Sequence, residues 1–179
     1  MAIWSRSSWT DSGHILAMID PSSPPGEASG RPLHEWHAHL VETGDLDGAI
    51  DFMAHALARY DCIVWAARAA IAIGAIDRSD PLAVTVLQWI DNPEDSLRRA
   101  AGAAAETVKA DTPVKLLCLA VYVSGGSLAP EDMTAVQPPP EICATLAAAA
   151  LLLGAHNQPD PDEAMRQVLE FGEAMVTAQ

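Results

Sequence analysis

Between Asp61 and Asp77 the chain reads D-C-I-V-W-A-A-R-A-A-I-A-I-G-A-I-D, and Arg68 is the one charge between the two aspartates. Apolar residues cover every face of a helix built on this stretch. Such a helix has no side to offer water and must be enclosed by neighbours. The stretch is therefore expected to form the central helix of an all-α domain, with Trp65 in the core. A guanidinium placed there is costly unless it is paired or reaches the surface. Arg68 is expected to sit in a buried ion pair that fixes how helices meet.

The rest of the chain supports the all-α reading. Half of the 179 residues are hydrophobic, while aromatics make up only 5%. Alanine dominates the apolar half, and it combines the best helix propensity with close helix approach. No long run alternates apolar and polar residues with β-branched enrichment, so strands are not expected.

Helix starts repeat one chemical signature. Ser79-Asp80-Pro81, Asn92-Pro93-Glu94-Asp95, Asp111-Thr112-Pro113 and Pro159-Asp160-Pro161-Asp162-Glu163 each place a capping side chain beside a proline. The capping oxygen accepts from an orphan first-turn amide, and proline lacks the N–H that would be orphaned there. These signals predict helices over 32–43, 46–58, 60–76, 80–91, 93–109, 113–124, 139–154 and 161–177. Short connections make successive helices antiparallel. The expected architecture is a single irregular domain of about eight antiparallel helices stacked as helical hairpins over 31–179. No fixed repeat of the TPR or ankyrin kind is present.

Two segments stand apart. Residues 1–30 hold seven serines and the breaks Pro21 and Pro24-Pro25, and they read as a loop-rich N-terminal arm. Trp4, Trp9 and Ile15 to Ile19 are too apolar for a solvating tail, so the arm either packs across the helices or docks on a partner. The second segment, 124–140, begins Ser124-Gly-Gly-Ser127 and ends Pro138-Pro139-Pro140. Long structured loops within compact domains often carry recognition. Leu128, Met133 and Val136 of this loop, with Trp4 and Trp9 of the arm, are the candidate interaction residues.

Charge narrows the partners. Twenty-four acids oppose ten bases, a formal charge of -14. Phosphate contacts need clustered Lys and Arg, and the one basic pair, Arg98-Arg99, lies in an otherwise neutral helix. Nucleic acid and anionic membrane surfaces are not expected partners, whereas a basic protein surface is. Cys62, Cys118 and Cys143 are odd in number and dispersed, which suggests reduced, buried thiols and a cytoplasmic protein. The first residues lack a signal-peptide core. The apolar runs 62–76 and 142–155 fall short of the roughly 20 residues that span a bilayer, so no membrane insertion is expected.

Candidate chemistry is thin. His34, His37, His39 and His55 are the densest ligand cluster, but H-E-W-H lacks the H-E-x-x-H spacing of zinc proteases. Asp45 to Asp51 resembles a calcium loop only superficially, with its glycine at the fourth position and not the sixth. Ser124-Gly-Gly-Ser127 follows a helix, where a phosphate-binding loop would open one. No catalytic residue, metal site or cofactor is expected.

Val64-Trp65-Ala66-Ala67-Arg68, Ser124 to Pro130 and Pro138-Pro139-Pro140, in that order, resemble an uncharacterised family of small, helical, alanine-rich bacterial proteins. Some members appear beside type VI secretion genes. The likeness covers about 33–178. The chain departs from it at Val64-Trp65-Ala66-Ala67, where the family carries a tryptophan pair followed by cysteine. The resemblance implies a setting and lends no catalytic residues. The expected function is that of a non-enzymatic cytoplasmic binding protein, an adaptor or chaperone accessory to type VI secretion. The alternatives are an immunity protein that neutralises a basic toxin, and a small hydrolase or metal-dependent enzyme using the His34, His37 and His55 region.

Overall fold

A computed structural model describes residues 4, 6–22, 24–130 and 132–177. Residues 1–3, 5 and 23 of the arm, residue 131 of the loop, and 178–179 lie outside the described residues. The helices are α1 (Ser12–Ile19), α2 (Leu33–Thr43), α3 (Leu46–Ala56), α4 (Arg59–Ala72), α5 (Pro81–Asp91), α6 (Asp95–Glu106), α7 (Pro113–Tyr122), α8 (Ile142–His156) and α9 (Pro161–Thr177). A single 3-10 turn, Gly26–Ala28, lies between α1 and α2. The protein is all-α, with no strand among the described residues.

Capping sets most of the starts. Asp80 accepts from the Leu82 amide at 2.8 Å ahead of Pro81. Thr112 accepts from Lys115 at 3.3 Å ahead of Pro113, and Asp160 from Glu163 at 3.1 Å. Among the four proline-flanked starts the exception is α6. Asn92 closes α5, the new helix begins only at Asp95, and Glu94 at its N-cap makes no side-chain cap bond. The Asp95 carboxylate faces two arginines, described below.

Helix α4 packs against α5, α7, α8 and α9, while α8 packs against α3, α4, α7 and α9. The central stretch thus shares its role with the alanine-rich α8, which is likewise apolar on all sides. Helix α4 is also shorter than its apolar run. The amides of Ala75 and Ile76 both bond the Ala70 carbonyl and close the helix, after which Ile76 turns back into the core.

Trp65 is buried beneath α9 and donates its indole N–H to the Val168 carbonyl at 2.9 Å. Gly172 makes this contact possible. A Cβ there would stand 1.9 Å from the Met53 Sδ and 3.0 Å from the Trp65 Nε1. The missing side chain lets α9 settle onto α3 and α4 together.

The N-terminal arm is more ordered than its composition suggests. Asp11 caps α1 through the Gly13 amide and also receives the Gly30 amide. The Ser12 amide and hydroxyl both donate to the Arg31 carbonyl at 3.0 Å. Helix α1 packs on α3, with Ile15 fully buried. Reading residues 1–30 as loop missed this helix. Its eight residues, opening on Ser12 and Gly13, carry weak periodicity, and contact with α3 supplies the order they lack alone.

Candidate interaction surfaces

The segment from 124 to 140 is held by the arginines of α6. The Arg98 side chain is only 4% exposed. Its Nε donates to Asp95 at 2.7 Å, and its terminal nitrogens donate to the carbonyls of Tyr122 and Ser127. The guanidinium also lies over the Tyr122 ring, 5.2 Å from its centroid. Arg99 donates to the other Asp95 oxygen at 2.8 Å and to the Ala129 carbonyl at 3.3 Å. Tyr122 donates its hydroxyl to the Leu128 carbonyl at 3.0 Å, and Arg59 reaches the Ser124 carbonyl at 3.1 Å.

Five carbonyls between Tyr122 and Ala129 are thereby turned inward onto cationic or phenolic donors. Hydrogen bonds from the two guanidinium groups hold the Asp95 carboxyl below the ordinary carboxylate range. Gly126 is required at the bend, because its φ is +63° and a Cβ would sit 2.9 Å from the Asp95 carboxylate.

Beyond this clamp the chain folds back on itself. Leu128 donates its amide to the Val136 carbonyl at 2.8 Å, and the Val136 amide returns to the Ser127 hydroxyl. Leu128 is half-buried. Met133 and Val136 project outward at 64% and 53% exposure.

A second concave surface lies between α4 and α9. It is a cleft of about 530 Å³ with Val64, Trp65, Ala174 and Met175 among its lining residues. Tyr60 and Phe171 stand beside them at 43% and 44% exposure. Arg6 and Arg68 also line it, with Asp61 between them in sequence. Arg6 approaches Asp61 at 3.4 Å.

Arg68 is exposed and takes part in no ion pair among the described residues. The buried ion pair expected of it is formed by Arg98 and Asp95. Sequence reasoning passed over Arg98, although an acid three residues earlier and a following Gly-Gly bend were both visible. Arg68 extends into the cleft at the edge of α4, and the apolar helix around it gains its enclosure from the other faces.

Trp4 is not at the surface. Its ring lies 5.2 Å from the His37 ring and 6.1 Å from Phe52, buried in the core. An interface role for Trp4 is therefore corrected to a structural one. Trp9 is half-buried and lies 6.5 Å from His14.

The histidines disperse. His37 is buried and its Nε2 finds no hydrogen-bond partner; desolvation brings its pKa down to about 4. Neutral at ordinary pH, it makes no ion pair with Glu173 at 3.6 Å. His34 is half-buried and His39 stacks on Trp36 at 5.0 Å.

His55 directs Nδ1 to the Asp51 carbonyl at 2.9 Å and carboxylate at 3.2 Å, and Nε2 to the Thr145 hydroxyl at 3.4 Å. Burial lowers its pKa, but the Asp51 bonds and the Glu141 charge outweigh it and the net shift is upward. The Thr145 hydroxyl also lies 3.2 Å from the Glu141 carbonyl, where it donates. A histidine biased toward imidazolium and a threonine whose proton is committed elsewhere do not make a base and nucleophile.

Among the described residues no three His, Cys, Asp or Glu side chains gather to hold a metal ion. Cys62, Cys118 and Cys143 are all buried and free. Desolvation pushes the Cys118 and Cys143 thiols up to about 12, which leaves them inert. No described helix is long and apolar enough to cross a membrane.

Residues 36–176 match the family of unknown function DUF6931. The chain belongs to that family. The resemblance drawn from Val64–Arg68, the Ser124 loop and the triple proline pointed to a family without known chemistry, and DUF6931 is one. The DUF6931 region contains the whole clamped loop and every cleft residue except Arg6; the arm precedes it. No curated protein and no solved structure matches the chain.

Proposed function

We propose that this DUF6931 protein is a non-enzymatic helical binding protein, an adaptor or chaperone, which meets a protein partner through the 124–140 loop. The observation that carries the reading is the exposure of Met133 and Val136 on a loop whose carbonyls are clamped from below. Exposed apolar side chains on a preordered support lose little entropy on binding. The charge of -14 favours a partner with a basic surface. The resemblance makes the cytoplasmic side of a type VI secretion system the first setting to search.

The decisive test replaces Met133 and Val136 by serine together. Neither side chain is buried, so the melting temperature should stay within about 2 °C of the parent. Cross-linking in the native cell should lose the partner captured by the parent protein. A variant that keeps its partner removes the loop from the contact.

A second reading, an immunity protein, is favoured by the same acidic excess. It predicts a partner that is a basic toxin, with binding that weakens steeply as salt is raised.

A further inference from the structure

We propose that the α4–α9 cleft is a second recognition site, and that its occupant is a short acidic amphipathic helix of a protein partner. This inference rests on the reading of the protein as a binding module, but not on the loop.

Three observations define the occupant. The first is shape. Tyr60, Asp61, Val64, Trp65 and Arg68 recur at i, i+1, i+4, i+5 and i+8 along α4, and Phe171, Ala174 and Met175 oppose them. Eight residues of helix advance about 12 Å, so the cleft accommodates roughly two turns of a partner helix.

The second is apolar exposure on rigid supports. Tyr60 and Phe171 are two of the five large hydrophobic residues exposed among those described. The Tyr60 hydroxyl donates to the Ile90 carbonyl at 2.9 Å, and its ring lies 5.8 Å from Trp89. Trp65 is fixed by its bond to Val168. An apolar face laid into this groove meets side chains that are already ordered, the usual mode of helix-in-groove recognition.

The third is charge. Two of the chain's ten basic residues line the cleft against one carboxylate, Asp61, in a protein that is otherwise strongly acidic. Arg6 and Asp61 compensate one another. Arg68, eight residues from Tyr60 along α4, is left with its guanidinium exposed. A carboxylate on the partner helix completes this arrangement, and a fork-shaped guanidinium beside an apolar groove suits it.

The test uses the full chain and three fluorescein-labelled 14-residue amphipathic peptides. Each has a leucine face flanked by Glu, by Gln or by Lys, and binding is read by fluorescence anisotropy. The Glu peptide should bind at least about tenfold tighter than the Gln peptide, and the Lys peptide weakest. Arg68→Gln should erase the preference for Glu over Gln, and Arg68→Glu should transfer it to the Lys peptide. Ala174→Trp, which fills the cleft from an exposed position, should abolish binding without lowering the melting temperature. The loop variant with serine at both 133 and 136 should bind the Glu peptide as the parent does. Equal affinity for the Glu and Gln peptides, no saturable binding, or binding unaffected by Ala174→Trp overturns the proposal. Loss of peptide binding in the loop variant also overturns it, by moving the site to the loop.

Discussion

Trp65 combines the two conditions that make a single residue costly to lose: complete enclosure and a satisfied polar atom. Truncating it to alanine leaves a cavity and removes the bond to the Val168 carbonyl, and should destabilise the protein by about 3–5 kcal/mol. Chemical denaturation of Trp65→Ala checks this, and an unchanged midpoint would refute its core role. Gly172→Ala tests the same junction from the other side. The new methyl must displace Met53 and press on the indole, at a cost of about 1–3 kcal/mol. His37 is sensitive to pH. Its folded pKa of about 4 lies below its ordinary 6.5, because burial disfavours the imidazolium. The unfolded chain therefore takes up the proton first, and stability falls as pH drops from about 6.5 to about 4. His55 acts oppositely, since its raised pKa gives stability that is present below 6.5 and lost as pH rises through the folded value. Comparing the pH dependence of melting in His37→Gln with the parent isolates the first effect. A parent no more acid-sensitive than the variant over that window would show that His37 is not buried as described.

At the scale of elements, the connection after α7 depends on a helix that precedes it. Arg98 holds the Tyr122 and Ser127 carbonyls while Asp95 neutralises it. Removing the guanidinium strands two carbonyls and leaves Asp95 to Arg99 alone. Arg98→Leu should cost about 2–4 kcal/mol and raise hydrogen exchange at the Ala129 and Val136 amides, which bond the Ser127 hydroxyl. Arg98→Lys keeps the charge but not the fork, and should recover only part of this. Unchanged exchange in Arg98→Leu would mean that the loop orders itself. The arm shows the same dependence on partners. Helix α1 and Trp4 gain their order from α3, Phe52 and His37, none of which adjoins them in the chain.

The whole molecule is a helical stack around two apolar helices, α4 and α8. The purified, untagged protein should carry no stoichiometric transition metal, because its histidines are spread over separate environments. Elemental analysis showing near one zinc per chain would overturn that. Much of this architecture was legible in sequence because its causes are local. A capping oxygen beside a proline acts within one turn, and an all-round apolar stretch must be enclosed whatever encloses it. Helices at Pro81, Pro113 and Pro161, and the burial of Trp65, followed from such features. Distant partners decided what could not be read. Arg68 and Arg98 both sit in alanine-rich helices, yet one faces a cleft and the other is buried under a loop some 30 residues away. Burying a charge is tolerated only where acceptors converge on it, and convergence belongs to the tertiary structure. The same holds for Trp4, whose place in the core depends on a cavity between helices that its own sequence does not describe.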